Sequence, residues 1–324
     1  MLISVCIPTI RADTLPSTVA AIRAQTWSDW ELIIIPQCAD ERLVKACEAA
    51  AEADSRVHCI YLDQRGLSLA ENAGIREASG ELLAFTADDC APAPDWLERI
   101  HESFVAQPSV GIVAGDLLPS PRPRWRWPST CPATRTIEYL HRPSDPNVGA
   151  PPGFYWAGAN FAARREVFDL ISGFDEYLGP GAEFPAAEDV DFALRAESAG
   201  IAVWTRPSII VHHTYGRRYG VRNMLMLYRS YARGSGALGG KLKLLDHRLS
   251  HEWGQKRGRW TTILRTIKNP ARTLLDRYKG HYCGIATRQY LAEFELDERG
   301  LSRPKSGGVG HARAQPPQPP LNPD

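Results

Sequence analysis

Short apolar runs closed by proline punctuate the first third of the chain. Leu2-Ile3-Ser4-Val5-Cys6-Ile7 stops at Pro8, and Trp30-Glu31-Leu32-Ile33-Ile34-Ile35 stops at Pro36. Leu82-Leu83-Ala84-Phe85 runs into Thr86-Ala87-Asp88-Asp89-Cys90-Ala91-Pro92. Runs this short suit buried strands, and proline cannot donate to a central ladder. Val57 to Leu62 alternates as a further strand. Between these runs the spacing turns helical. Pro16 and Ser17 open a helix with Val19 and Ile22 on one face, Glu41 to Ala53 is Ala-rich, and Gly66 to Ile75 is a turn feeding a helix that ends near Gly80. Strands alternating with helices predict an α/β domain with a mostly parallel sheet and helices on both faces.

The pattern continues with a helix from Trp96 and a strand over Val110 to Ala114. Residues 119–152 hold nine prolines and the pair Trp125 and Trp127, a composition for a loop, either a binding loop or a disordered insertion. Gly158 to Arg165 reads as a strand running into a helix over Glu166 to Leu170, and Ala187 to Arg195 as an acidic helix start. Ile201 to Trp204 and Ser208 to Val211 read as two strands, the second ending in His212-His213. After Gly220 the character changes. Met224, Leu225, Leu227, Tyr228 and Tyr231 share a helical face, as do Trp260, Ile263, Leu264 and Ile267. Asn269-Pro270 breaks the second helix, Leu274, Leu275 and Tyr278 resume another, and the tail with PPQPP reads as disordered.

Composition alters this picture in one respect. The 324 residues are 44% hydrophobic and 23% charged, ordinary for a globular protein, but the net charge of +1 is unevenly spread. Residues 1–216 hold 17 Lys/Arg against 29 Asp/Glu, whereas residues 217–288 hold 17 against 3. Three parts follow: an acidic α/β domain over 1–215, a basic helical extension over 216–300 and a Pro-rich disordered tail over 301–324. The extension suits peripheral contact with an anionic membrane surface, or else a structural or oligomerising role within a homo-oligomer. Seven cysteines without a CxxC pair, no signal-peptide pattern and no 18-residue apolar run point to reduced thiols and a cytoplasmic location, at most against the inner membrane face. No nucleic-acid partner is expected.

Acidic and imidazole groups fall at one edge of the expected sheet: Asp88-Asp89 after a strand, Glu188-Asp189 and Asp191 at a helix start, and His212-His213 after a late strand. Ligands of open α/β sheets sit beyond the carboxyl ends of the strands. A carboxylate and an imidazole suit a divalent cation that also holds phosphate oxygens, and a separate carboxylate can act as general base. Sugar transfer from a nucleotide diphosphate needs both.

The residues here carry a resemblance. Gly66-x-Ser68-x-Ala70-x-Asn72-x-Gly74-Ile75, Gly80-Glu81-Leu82-Leu83-Ala84-Phe85-x-x-Asp88-Asp89 and Pro94-Asp95-Trp96-Leu97 resemble family 2 glycosyltransferases of the GT-A fold. So do Gly158-Ala159-Asn160-Phe161-Ala162, Gly173-Phe174-Asp175-Glu176 and Glu188-Asp189-x-Asp191-Phe192, over about residues 3–215. The resemblance implies an inverting enzyme of the bacterial polysaccharide type, with manganese or magnesium, a UDP- or dTDP-type sugar donor, and a glycan or lipid-linked acceptor. It places the metal at Asp89 with His212, and nucleotide-sugar contacts at Pro8, Thr9, Arg11, Asn72 and Asp88, with Asp40 against the base. Asp189 becomes the catalytic base, Asp191 its alternative, and Glu188 their neighbour. Two positions depart from the family pattern: Ala87 begins the DxD signature, and Glu71 stands where relatives carry a basic residue. They leave room for a non-catalytic relative that binds nucleotide or glycan. A sugar-1-phosphate nucleotidyltransferase would need a Gly-rich basic loop that PTIRADTLP lacks.

Overall fold

The computed structural model describes residues 1–121, 129–143, 156–245 and 270–306. It divides into two compact units. The first comprises Met1–Gln64, Leu69–Phe174 and Asp189–Met224; the second takes in Arg65–Ser68, Asp175–Glu188 and the chain from Leu225 onward.

The first unit is built on β1 (Ile3–Thr9), β2 (Trp30–Pro36), β3 (Val57–Cys59), β4 (Leu82–Phe85), β5 (Cys90–Pro92), β6 (Val110–Leu118), β8 (Tyr139–His141), β9 (Phe161–Arg164) and β10 (Ala202–His213). Among the described residues these nine strands form one sheet in the order β3-β2-β1-β4-β9-β6-β10-β5, with β8 also beside β10. β3, β2, β1 and β4 run parallel, whereas β9 is antiparallel to both its neighbours. The strands read as unbroken apolar runs because both faces are covered. Val5, Leu32 and Ala84 point to one side, into α1 (Leu15–Arg23), α2 (Glu41–Ala53) and α4 (Trp96–Ala106). Cys6, Ile33, Leu83 and Phe85 point to the other, into α3 (Leu67–Glu77), α5 (Arg165–Ile171) and α6 (Glu188–Ser198). There Phe85, Phe161, Phe174 and Phe192 stack, with ring centroids 4.8 Å apart for Phe85–Phe161 and for Phe174–Phe192.

Three strands differ from the sequence pattern. Pro8 lies inside β1 rather than after it. The Thr9 carbonyl accepts from Gln37 N on the β2 side, so Pro8 faces the other side, where pairing with β4 has already ended at Cys6. The missing N–H therefore costs no ladder bond. Ala202 to His213 forms one strand rather than two, with a register shift between Arg206 and Ile210 that accommodates Pro207. Cys90–Pro92, which the sequence pattern assigns to no strand of its own, pairs antiparallel with the end of β10.

The second unit holds most of α7 (Gly220–Leu245), α8 (Pro270–Glu293) and the hairpin of β12 (Phe294–Leu296) and β13 (Ser302–Pro304). The small pair β7 (Ser129–Thr130) and β11 (Arg218–Tyr219) belongs to the first. The core of the second unit gathers Leu178, Phe184, Ala237, Ala286, Tyr290 and Phe294. Gly236 permits the close approach of α7 and α8, since a Cβ there would lie 2.3 Å from the Cys283 carbonyl oxygen. The expected tail from residue 301 instead begins with strand β13; residues 307–324 lie outside the described residues, as do Trp125, Trp127 and the stripe Trp260, Ile263, Leu264 and Ile267.

Asp175, in the Gly173-Phe174-Asp175-Glu176 motif, is buried. Lys241 Nζ is 2.6 Å from its Oδ2, Ser302 donates to the same oxygen from N (3.0 Å) and Oγ (2.5 Å), and Tyr177 N donates to Oδ1. Burial alone would raise this carboxyl; Lys241 and the hydrogen bonds outweigh it and hold it below the usual range. Its ionised form therefore stabilises the fold above the unfolded carboxyl range, and that stability is lost as pH falls below about 4. We expect Lys241→Met to cost about 3–5 kcal/mol, because it strands a buried carboxylate. Chemical denaturation at pH 7 checks the loss, and the gap from wild type should shrink on acidification.

Candidate active site

β4 ends at Phe85, and the chain turns through Thr86-Ala87-Asp88-Asp89 into β5, where Cys90 lies opposite His213 of β10. The Thr18 hydroxyl braces this turn from α1, within hydrogen-bond distance of the Asp88 (3.0 Å) and Cys90 (2.7 Å) carbonyls. Both carboxylates are buried, each residue 3% exposed. Thr9 Oγ1 donates to Asp88 Oδ2 at 2.7 Å, and Arg11 Nε to the same oxygen at 3.3 Å. Arg11 also pairs with Asp88 Oδ1 and sits 3.1 Å from Asp89 Oδ2. Two adjacent buried acids repel unless a cation answers them, and Arg11 supplies that charge. Burial would raise the Asp89 carboxyl; the His213 hydrogen bond and the charges of Arg11 and Arg218 override it and hold it far below the usual range.

His213, not His212, faces Asp89. His212 is exposed opposite Ala91, whereas His213 is buried with Nε2 3.3 Å from Asp89 Oδ1. Neighbouring strand residues point to opposite faces, so the choice between two adjacent histidines is a matter of register. His213 Nδ1 lies 2.5 Å from the Pro132 carbonyl oxygen, which can only accept, so Nδ1 carries the hydrogen. Nε2 faces the carboxylate oxygen, so either a proton on Nε2 or a cation in its place would bridge the imidazole and Asp89. Gly216 packs directly on this ring: a Cβ there would lie 1.9 Å from His213 Nε2.

Asp189 is half-buried near the start of α6. Gly158 N donates to its Oδ2 at 3.2 Å and Val190 N to its Oδ1 at 2.8 Å. Glu188, the first residue of α6, is also half-buried and follows Ala187, which holds a left-handed backbone at φ 78°. Asp191 is different. It is 1% exposed and pairs with Arg195 Nε at 2.8 Å, while Arg195 also donates to the Ile171 and Gly173 carbonyls. Its position is that of a helix-pinning ion pair.

Of the residues expected at the nucleotide sugar, Thr9, Arg11 and Asp88 come together. Pro8 is buried in β1, and Asp40 is exposed and caps α2, its Oδ1 accepting from Leu43 N at 2.9 Å. Asn72 grips the Phe174 backbone, donating to its carbonyl at 3.0 Å and accepting from its N at 2.8 Å. These bonds engage both ends of the amide, which gives Asn72 a structural use. Glu71 is buried, 4% exposed. Asn160 serves the scaffold too: it accepts from Trp96 Nε1 and donates to the Asp116 and Ile209 carbonyls, tying α4, β6 and β10 to β9. Sequence reasoning missed Thr18 and Gly216. The glycine three residues after the HH pair was the available signal.

The family model for glycosyl transferase family 2 matches residues 4–171, and the chain belongs to that family. The fold is GT-A. It is 24% identical over 189 residues to a glucosyl-dolichyl phosphate glucuronosyltransferase of Haloferax volcanii, covering 52% of this chain and 53% of that protein. It is 29% identical over 221 residues to the glycosyltransferase AglE of the same organism, covering 65% and 66%. The chain thus spans about half to two thirds of the length of these relatives. Among solved structures it resembles the mannosyltransferase PcManGT from Pyrobaculum calidifontis in complex with GDP-Man and Mn2+ (TM-score 0.58, 18% identity, 90% of this chain and 86% of that one). It also resembles TarS of S. aureus (TM-score 0.51, 14% identity, 72% and 39%). Among the described residues no helix is long and apolar enough to cross a membrane.

Proposed function

We propose that this enzyme transfers a sugar, with inversion, from a nucleoside-diphosphate sugar to a hydroxyl of a glycan or lipid-linked acceptor. The observation that carries the reading is the buried pair Asp88-Asp89, with Asp89 Oδ1 3.3 Å from Nε2 of the buried His213. Asp89 and His213 are an oxygen and nitrogen pair suited to Mn2+ or Mg2+. A divalent cation bound there would offset charge on the leaving diphosphate. Arg11 helps to keep the Asp89 carboxyl ionised and adds positive charge beside both carboxylates. Asp189, held by Gly158 N and Val190 N, accepts the proton of the acceptor hydroxyl as it attacks the anomeric carbon. A GDP-mannose complex in a structural relative supports a nucleoside-diphosphate donor and makes GDP-sugars candidates beside the UDP- and dTDP-types.

A ligand bound only by the folded state raises its melting temperature. One UDP-, dTDP- or GDP-sugar should therefore raise it more with Mn2+ than with chelator. No response across the whole panel would count against the reading. Gly216→Ala provides an internal check. Its methyl group must push the His213 ring aside, so metal affinity should drop about 10–100-fold, the range for disturbed ligand support, while the far-UV circular dichroism stays unchanged. Unaltered Mn2+ affinity in this variant would remove His213 from the metal.

A further inference from the structure

Three donors converge beside Asp89. Its Oδ1, the Cys90 sulfur and His213 Nε2 all lie within 4.8 Å of one another, and all three residues are buried. The antiparallel pairing of Cys90 with His213 sets both side chains on the same face of the sheet, so the thiol and the imidazole reach the carboxylate from one side. Cys90 Sγ is 3.8 Å from Asp89 Oδ1, and His213 Nε2 is 3.3 Å from it. Tetrahedral zinc, with bonds of about 2.3 Å to sulfur and about 2.0–2.2 Å to nitrogen and oxygen, separates its ligands by about 3.6 Å and about 3.4 Å along the same two edges. The other Asp89 oxygen remains with Arg11. Cys131, the other thiol near this histidine, lies on the Nδ1 side at 3.7 Å and is not placed to join the set.

We propose that Cys90 is a third protein ligand of this centre, giving an Asp-Cys-His set with one open position that prefers thiophilic divalent cations such as Zn2+ and Co2+ to Mg2+. The inference rests on the reading of Asp89 and His213 as metal ligands. Binding forms the metal–sulfur bond, breaks the S–H bond and sends one proton to solvent; no electron is transferred. Mn2+, a harder ion, needs only the oxygen and nitrogen donors, so the sulfur separates the two classes of metal.

The test is titration of the metal-free full chain with Co2+, read by absorbance, beside equilibrium dialysis with Mn2+ and Zn2+. One equivalent of Co2+ should produce a thiolate-to-cobalt charge-transfer band. Cys90→Ser and Cys90→Ala should abolish the band and weaken Zn2+ by about 10–100-fold while changing Mn2+ affinity less than about threefold. If those variants fail to fold, X-ray absorption of the Zn2+-loaded wild type should give a single Zn–S distance of about 2.3 Å, lost in Asp89→Asn. Co2+ bound with no sulfur band, or a band that persists in both variants, overturns the ligation by Cys90 and leaves the Asp89–His213 reading standing. If the wild type binds neither Co2+ nor Mn2+, the metal reading itself falls.

Discussion

Asp89→Ala should lose transfer activity by about a thousandfold or more, the upper range for removing one group that stabilises developing charge. Asp89 has two uses in the structure. Its Oδ2 meets Arg11 at 3.1 Å and its Oδ1 meets His213 at 3.3 Å. The turn around it is held by the backbone, with its carbonyl accepting from Thr214 N and Oγ1 at 3.0 Å each, so the loop should survive loss of the carboxylate. Arg11 keeps Asp88 as a partner and is not left uncompensated. The deficit should therefore lie in metal-dependent donor binding and turnover, not in folding. Circular dichroism and a metal-dependent binding isotherm separate the two. Asp88→Ala should act differently, harming nucleotide affinity more than metal affinity, because Asp88 is engaged by Thr9 and Arg11 rather than by the histidine. An Asp89→Ala protein fully active at saturating metal would contradict its role.

Asp189→Asn should lower turnover by about 10²–10⁴-fold with donor affinity near wild type, the range for removing a general base. Asparagine has a single acceptor oxygen, so it keeps one of the two bonds that Gly158 N and Val190 N make to the separate Asp189 oxygens, while the proton acceptor is lost. Asp191→Asn should behave oppositely. It leaves the Arg195 guanidinium buried without its carboxylate, and breaking such a pair costs about 3–5 kcal/mol. Its expected signature is a lowered melting temperature, with per-molecule turnover largely retained at low temperature. If Asp191→Asn lost turnover without destabilisation while Asp189→Asn stayed active, the two roles would exchange.

Much of the fold is legible in the sequence because both faces of the central strands are buried. Leu82–Phe85 and Glu41–Ala53 form elements with the boundaries that pattern alone suggests. What escaped depends on long-range pairing. Nothing local marks Phe161–Arg164 as antiparallel between two other strands, or joins Ser208–Val211 to Ala202 across Pro207. α7 continues through Gly234, Gly236, Gly239 and Gly240, against local propensity, because the close approach of α8 at Gly236 rewards the missing side chain. The site divides along the same line. Asp88 and Asp89 are visible as acids at a strand end, and Asp189 as an acid at a helix start. The choice of His213 over His212 is fixed only by the pairing of β10 with Cys90, a register that no stretch of a few residues encodes. Asn72 and Asp40 have backbone partners in the structure that the sequence does not reveal, because an amide and a carboxylate that serve the backbone look the same in sequence as ones that serve a ligand.

The most direct measurement is transfer itself. Wild-type protein, the sugar nucleotide that stabilises it most and a hydroxyl acceptor would be incubated with Mn2+ or with chelator, and the product's anomeric configuration read by NMR. The expected result is nucleoside diphosphate and glycoside in equal amounts, formed only with the metal, with the anomeric configuration opposite to that of the donor. Equal rates with chelator, or a product that retains the donor's configuration, would contradict metal-assisted inverting transfer at Asp89 and Asp189.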